Sequence, residues 1–158
     1  MNDPLWHVRL SNGHPQYQQV SLRRRPGYPN HEVVIVDAQK LIQYSAQDVR
    51  TGYVIGPVET WDPAKREGLF EFLAPPGPRE RHVEMPIVSF NEVTVYERES
   101  YLWLFSRIHS RQVQYVGYTN GRHRARYLAD AGAREMPVMC HKDEVHGLRA
   151  HCTSAGMA

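Results

Sequence analysis

The sequence predicts an α/β protein of the α+β kind, a small mixed-sheet domain carrying a strand-helix-strand unit suited to phosphate. Three observations predict it. The β-branched run Val33-Val34-Ile35-Val36 is bounded by turn residues and reads as a strand buried on both faces. Residues 112–118 alternate, with Val113, Tyr115 and Gly117 opposite Gln114, Val116 and Tyr118, as a strand does. Between that strand and the apolar run Pro137-Val138-Met139-Cys140, small apolar residues recur at helical spacing: Ala125, Leu128, Ala129 and Gly132 fall at i, i+3, i+4 and i+7. Asn120 stands where the N-cap of that helix belongs and Gly132 where it ends, and the unit is expected to carry the right-handed crossover usual for such connections.

A chain of 158 residues is long enough for one proper core and short for two, so one domain is expected. It divides into an N-terminal extension (1–30), the main domain (31–142) and a C-terminal tail (143–158). Nineteen Lys and Arg against 17 Asp and Glu leave a formal net charge of +2, which excludes a global basic field; any contact with nucleic acid must be local. Two cysteines do not make a secreted disulfide framework, and Cys140 sits in an apolar strand where a buried thiol is the ordinary outcome. With no apolar run of signal-peptide or membrane-spanning length, the expectation is a cytoplasmic protein without membrane insertion.

In the extension, Trp6, Val8 and Leu10 alternate with polar residues, which suits one strand at most, and Arg23-Arg24-Arg25 reads either as a solvated loop or as a contact for nucleic acid or a partner. Asp37 follows the strand at 33–36 and opens a segment with Ala38, Leu41 and Ile42 on one side, so it reads as a helix N-cap. The competing reading is a metal ligand or acid/base group, because carboxylates at strand ends often face the ligand crevice. Residues 62–68 read as a helical turn, and 74–81, with three prolines and a glycine, as a surface loop. Residues 85–90 and 93–98 suit two short strands. Tyr101, Leu104, Phe105 and Ile108 recur at i, i+3, i+4 and i+7, which predicts a core helix over 101–108. In the tail, His141, His146 and His151 are five apart, about 140° apart on a helix, which does not fit zinc; a polar, partly frayed helix is expected instead.

The electrostatic oddity is the joint before the small-residue helix. Arg122, His123 and Arg124 occupy its first turn and Arg126 the next. Each cation there costs roughly 0.3–1 kcal/mol against the helix dipole, where an acid would help. Two readings remove the conflict: the arginines pair with carboxylates elsewhere in the fold, or an anion docks on the free amides, comes close over Gly121 and is clamped by guanidinium groups.

The string Asn120-Gly121-Arg122-His123-Arg124, followed by a small-residue helix, Gly132 and Met136-Pro137-Val138, resembles the signature of the ParB/sulfiredoxin-like superfamily. In detail it is similar to the branch of plasmid fertility-inhibition factors. The resemblance spans residues 85–140, with a weaker echo at 36–41. It implies that the turn binds the phosphates of ATP or another nucleotide, with Mg2+, through Asn120, Gly121, Arg122, His123, Arg124 and Arg126. It further implies ATP hydrolysis and DNA cleavage, and a role in blocking conjugative DNA transfer, with DNA and a conjugative coupling or secretion-channel protein as partners. Phosphoryl-group chemistry needs positioning and charge neutralisation more than a covalent nucleophile, so Arg122, His123 and Arg124 are the catalytic candidates. The carboxylates open to metal or base roles are Glu84, Glu92, Glu135 and Asp37; Glu135 is assigned to the catalytic set and Asp37 to the metal. Arg126 has Asp130 as an alternative partner. Arg122 stands where a sulfiredoxin has its cysteine, which excludes a thiol mechanism, and no helix-turn-helix domain of the partition proteins fits after Cys140. Two other classes stay open: a non-catalytic inhibitor or adaptor, and a small-molecule kinase.

Overall fold

The computed structural model describes residues 4–11, 13–51, 53–76, 81–101 and 105–154, with the backbone alone at Tyr101 and Phe105. Their elements run β1 (Leu5–Arg9), β2 (Gln19–Arg23), β3 (His31–Asp37), α1 (Ala38–Ser45), α2 (Pro63–Leu73), β4 (Val83–Glu84), β5 (Ile87–Tyr101), β6 (Phe105–Asn120), α3 (Arg122–Asp130), β7 (Glu135–His141) and α4 (Val145–Cys152), with a 3₁₀ turn at Val58–Thr60. The architecture is mixed α+β with two sheets. The larger has the order β3-β7-β5-β6, and the smaller the order β1-β2-β4.

Residues 1–30 were expected to hold a strand at most; they hold two. β1 and β2 pair antiparallel, and Val8 faces Val20 with both side chains fully buried. The alternation that marks β1 recurs at Val20 and Leu22, whose burial completes one core with β3, β7 and α3. β3 forms as expected, but at a sheet edge: only Val34 and Val36 are buried, and Val33 and Ile35 are half-exposed. The central strand is β7, whose inner residues from Met136 to Cys140 are all buried. Asp37 caps α1, its carboxylate accepting from the Lys40 amide at 2.9 Å.

Two elements depart from the sequence expectation. Tyr101 and residues 105–108 are not helical: β5 runs unbroken to Tyr101 and β6 starts at Phe105, their residues paired in continuous register from Val93↔Val113 to Tyr101↔Phe105. Helical spacing of four apolar residues loses to the pairing of β6, sixteen residues long, with its neighbour β5. Ile108, expected in the core, is 67% exposed; Leu104 lies outside the described residues. The second departure concerns the crossover. β5 lies between β6 and β7, antiparallel to the first and parallel to the second, so α3 joins two antiparallel strands and the parallel-crossover rule does not apply. The β5–β6 hairpin takes the position that a βαβ unit would have given to β6 beside β7.

The stripe on α3 is core: Ala125, Leu128 and Ala129 are buried. The helix ends in a Schellman arrangement, the Gly132 amide on the Ala129 carbonyl and the Ala133 amide on that of Leu128, with Gly132 at φ 90°. The tail is better ordered than expected: α4 buries Val145, Leu148 and Cys152 on one face.

Candidate phosphate-binding site

β6, β5 and β7 bring Asn120, Ile87 and Met139 into one row across the sheet, and the chain turns into α3 at that row. The turning residue is Gly121, at φ 83°, and it is the helix N-cap in place of Asn120. Only glycine fits. A Cβ there would lie 2.8 Å from the Cα of Pro86 and 3.1 Å from a terminal guanidinium nitrogen of Arg124, besides the strain of a left-handed conformation. Asn120 ends β6, and its side-chain oxygen accepts from Arg124 Nη2 at 2.9 Å instead of capping. α3 therefore begins with no side-chain cap and no acid in its first turn, which leaves the amides available to an external acceptor.

The first-turn side chains diverge. Arg124 is the best anchored, donating to the Glu84 carbonyl and to Asn120; burial pushes its guanidinium pKa down, Glu84 opposes that and Arg25 adds to it. Arg122 lies over the rings of Tyr53 and Tyr118, 5.6 and 5.7 Å from their centroids. His123 sits edge-on to Trp61, and its Nε2 accepts from the Lys65 ammonium at 2.7 Å, which places the ring proton on Nδ1. Burial, Lys65 and Arg122 all lower the pKa of His123, so the imidazole is neutral at pH 7. Arg126 turns away from this group to form an i,i+4 ion pair with Asp130 at 3.0 Å, while that carboxylate also accepts from the Val58 amide.

Around the α3 N-terminus lies a cleft of about 770 Å³ that Asn120, Gly121, Arg122, His123 and Arg124 share with residues the sequence did not assign to it. Parallel pairing of β2 with β4 sets Arg23 opposite Glu84 and brings Arg25 to the same wall. Among the described residues the cleft is lined by five arginines (23, 25, 81, 122 and 124) against Glu71 and Glu84, a local excess of three positive charges on a chain whose total is +2. Arg23 Nη2 holds Glu84 Oε1 at 3.1 Å and Arg25 Nε lies 3.5 Å from Oε2, so both oxygens of that carboxylate are committed. Arg23 Nε and His82 Nδ1 are buried with no hydrogen-bond partner among the described residues, and both residues line the cleft. Buried polar nitrogens left open in this way are expected where a ligand completes the hydrogen bonding. Of the arginine triplet, Arg23 and Arg25 face the cleft and Arg24 staples the following turn, donating to the carbonyls of Tyr28 and His31 at 2.9 and 2.7 Å. The signal was in the sequence: residues two apart on an extended chain point the same way.

Glu135 and Asp37 do not join this group. They face each other across β3 and β7 at Glu135's end of β7, four residues, or about 13 Å, from the Met139 row that meets Gly121. Glu135 accepts from the Ser154 hydroxyl at 3.0 Å, and Asp37 is occupied as a cap. Glu92 accepts from Gln114 on the β5–β6 hairpin.

The plasmid fertility inhibition factor family matches the sequence over residues 33–153. The chain belongs to that family. No curated protein matches the chain at a significant level. Among solved structures, the fold is similar to the oncogenic suppression activity protein, a plasmid fertility inhibition factor crystallised as a gold(I) cyanide derivative. The TM-score is 0.67 at 16% identity, covering 98% of this chain and 72% of that one. Arg23 and Arg25 of the fertility inhibition factor described here precede the segment matched to the family, whereas Arg122, His123 and Arg124 fall within it. No described helix is long and apolar enough to cross a membrane.

Proposed function

We propose that this fertility inhibition factor acts against conjugative DNA transfer through a nucleotide-phosphate site at the N-terminus of α3, a site of the ParB/sulfiredoxin-like kind. The observation that carries the reading is the convergence of arginines from three separate segments on an uncapped helix start, with two unsatisfied buried nitrogens in the same cleft. Phosphate oxygens would take the α3 amides, the Arg122 and Arg124 guanidinium groups and the free Nε–H of Arg23, with His82 joining in the tautomer that carries its proton on Nδ1. A neutral His123 with its proton on Nδ1 can donate to a phosphate or a leaving oxygen while Lys65 holds Nε2. ATP is the nucleotide proposed, and a DNA phosphodiester offers the same oxygens.

The described residues of the cleft do not build a Mg2+ site. Among them Glu84 is committed to two arginines and Glu71 stands alone, short of the paired carboxylates such an ion commonly takes from protein. No step is therefore assigned to a metal. The same observation favours a second reading, a non-catalytic factor that binds nucleotide or DNA and acts on a coupling or secretion-channel protein, because no uncommitted carboxylate pair stands in the cleft among the described residues to serve as base. ATP and plasmid DNA, each with magnesium, separate the readings. Wild type is expected to bind ATP with an affinity that falls as salt rises. Arg122→Ala and Arg124→Ala are each expected to lose about tenfold or more, the worth of a charge-assisted hydrogen bond to phosphate. Turnover of ATP or cleavage of DNA that disappears in both variants supports catalysis; binding without turnover supports the second reading. Absence of binding by folded wild type ends both.

A further inference from the structure

A second concave surface adjoins the arginine cleft through one shared residue. It is a pocket of about 600 Å³ in which Trp6 and Tyr28 are the aromatic walls; among the described residues, Arg24 and Arg25 are the only charged side chains lining it and no carboxylate does. The guanidinium of Arg25 joins the two. Its Nε lies 3.5 Å from Glu84 in the arginine cleft, and its Cζ lies 5.8 Å from the centroid of the Tyr28 ring.

The Tyr28 wall is fixed before any ligand arrives. Pro26-Gly27, with Gly27 at φ 86°, makes the tight turn that presents it. The Tyr28 carbonyl accepts from both Arg24 and the His31 amide, and the ring rests edge-on against His31 at 4.9 Å. Trp6 is half-buried on β1, opposite Leu22, and partly packed on the core. Two pre-set aromatic surfaces beside cations, continuous with a groove of phosphate-binding groups, match the way proteins hold a nucleic acid strand: backbone along the positive track, bases on the rings.

We infer that Trp6 and Tyr28 form a base-stacking subsite for single-stranded nucleic acid whose backbone runs over Arg25 into the cleft at Arg122 and Arg124. This deepens the proposed phosphate site and rests on it, naming a strand as the ligand. Each of the two pockets is already of the size that encloses a drug-sized molecule, so one mononucleotide does not fill both. A duplex keeps its bases stacked on one another and offers none to the rings.

The test is fluorescence anisotropy with a labelled oligothymidylate of about 15 nucleotides, within the span one ssDNA-binding domain covers, alongside the matching duplex and ATP. Trp6→Leu, Tyr28→Leu and Arg122→Ala are compared after thermal melts confirm folding. Leucine keeps apolar volume at both walls, so the packed side of Trp6 is largely preserved. The expected result is tighter binding of the single strand than of the duplex, and roughly tenfold weaker single-strand binding for each ring removed. ATP affinity is unchanged in the ring variants, and Arg122→Ala weakens both ligands. Single-strand binding that survives loss of both rings overturns the subsite. An equal loss for ATP in the ring variants also overturns it, because the pocket then holds the base of one nucleotide. If ring variants match wild type while Arg122→Ala still loses ATP, the phosphate site stands and the strand does not; loss of all binding in wild type removes both.

Discussion

The arginine cleft and the outer part of the β5–β6 hairpin are both dense in charge, and they use it in opposite ways. On the hairpin, basic side chains meet acids across the strands: Arg111 Nε lies 2.7 Å from Glu97 and His109 Nε2 3.4 Å from Glu99, all four side chains well exposed. In the cleft, among the described residues, five arginines share two glutamates, and buried nitrogens of Arg23 and His82 stay open. Charge density alone therefore does not mark a site. Partial burial combined with a shortage of counter-charges does, because it leaves an electrostatic demand that folding has not met.

The same contrast separates glycines, and Gly121→Ala is the strongest way to probe it. Gly121 and Gly27 both have positive φ, but a Cβ on Gly121 meets the Pro86 backbone at 2.8 Å whereas a Cβ on Gly27 meets nothing within 4 Å. Gly27→Ala is expected to cost about 1 kcal/mol for the left-handed conformation. Gly121→Ala is expected to cost about 2–4 kcal/mol, since overpacking adds to that strain. Urea denaturation of the two variants measures the difference. Equal costs would mean that the turn yields at Pro86, and that the cleft is looser than its geometry suggests.

A smaller effect, read as a slope, comes from pH. Burial and nearby cations lower the pKa of His123, and burial and His141 lower that of His31. Between each lowered value and the unfolded value near 6.5, the unfolded chain binds more protons than the folded one, so stability rises with pH in that window. It is therefore lost as pH falls below about 6.5, and is level above it. His123→Gln should flatten part of the slope and leave the share of His31. Saturating inorganic phosphate should flatten it too, because a bound anion raises the His123 pKa back toward its unfolded value. A slope indifferent to phosphate would place the anion away from His123.

Features set by neighbours in sequence were legible before the fold was known: the Asp37 cap, the small-residue stripe on α3, the Gly132 terminus and the conflict of cations with the α3 dipole. The readings that failed depend on what lies across the sheet. Residues 101–108 have a helical spacing, and their pairing with 93–101 is long-range information that periodicity does not carry. Glu135 is close to the turn in sequence and distant in space because α3 carries the chain along the sheet before β7 begins at Glu135, and only Met139, four residues on, returns to that row. The shared direction of Arg23 and Arg25 is local, but the cleft they reach is set by a parallel β2–β4 contact of two residue pairs, which is long-range information. Lys65 and His82 stand in ordinary charged stretches of the sequence, and only the packing of α2 and of the residues leading into β4 gives them a role.

The least effect is expected on the hairpin. Glu97 and Arg111 are diagonal neighbours on one face of the ribbon, Glu97 standing opposite His109 and Arg111 opposite Val95; both are more than half exposed, and water screens the pair. A double-mutant cycle with Glu97→Ala and Arg111→Ala should give a coupling of about 0.5 kcal/mol, smaller still at high salt. Removal of Arg111 should leave nucleotide and oligonucleotide affinity near wild type, although it deletes the same charge as Arg122→Ala. A loss of binding comparable to that of Arg122→Ala would show that the ribbon extends the ligand track, and the division between a satisfied and an unsatisfied charge cluster would no longer predict where anions bind.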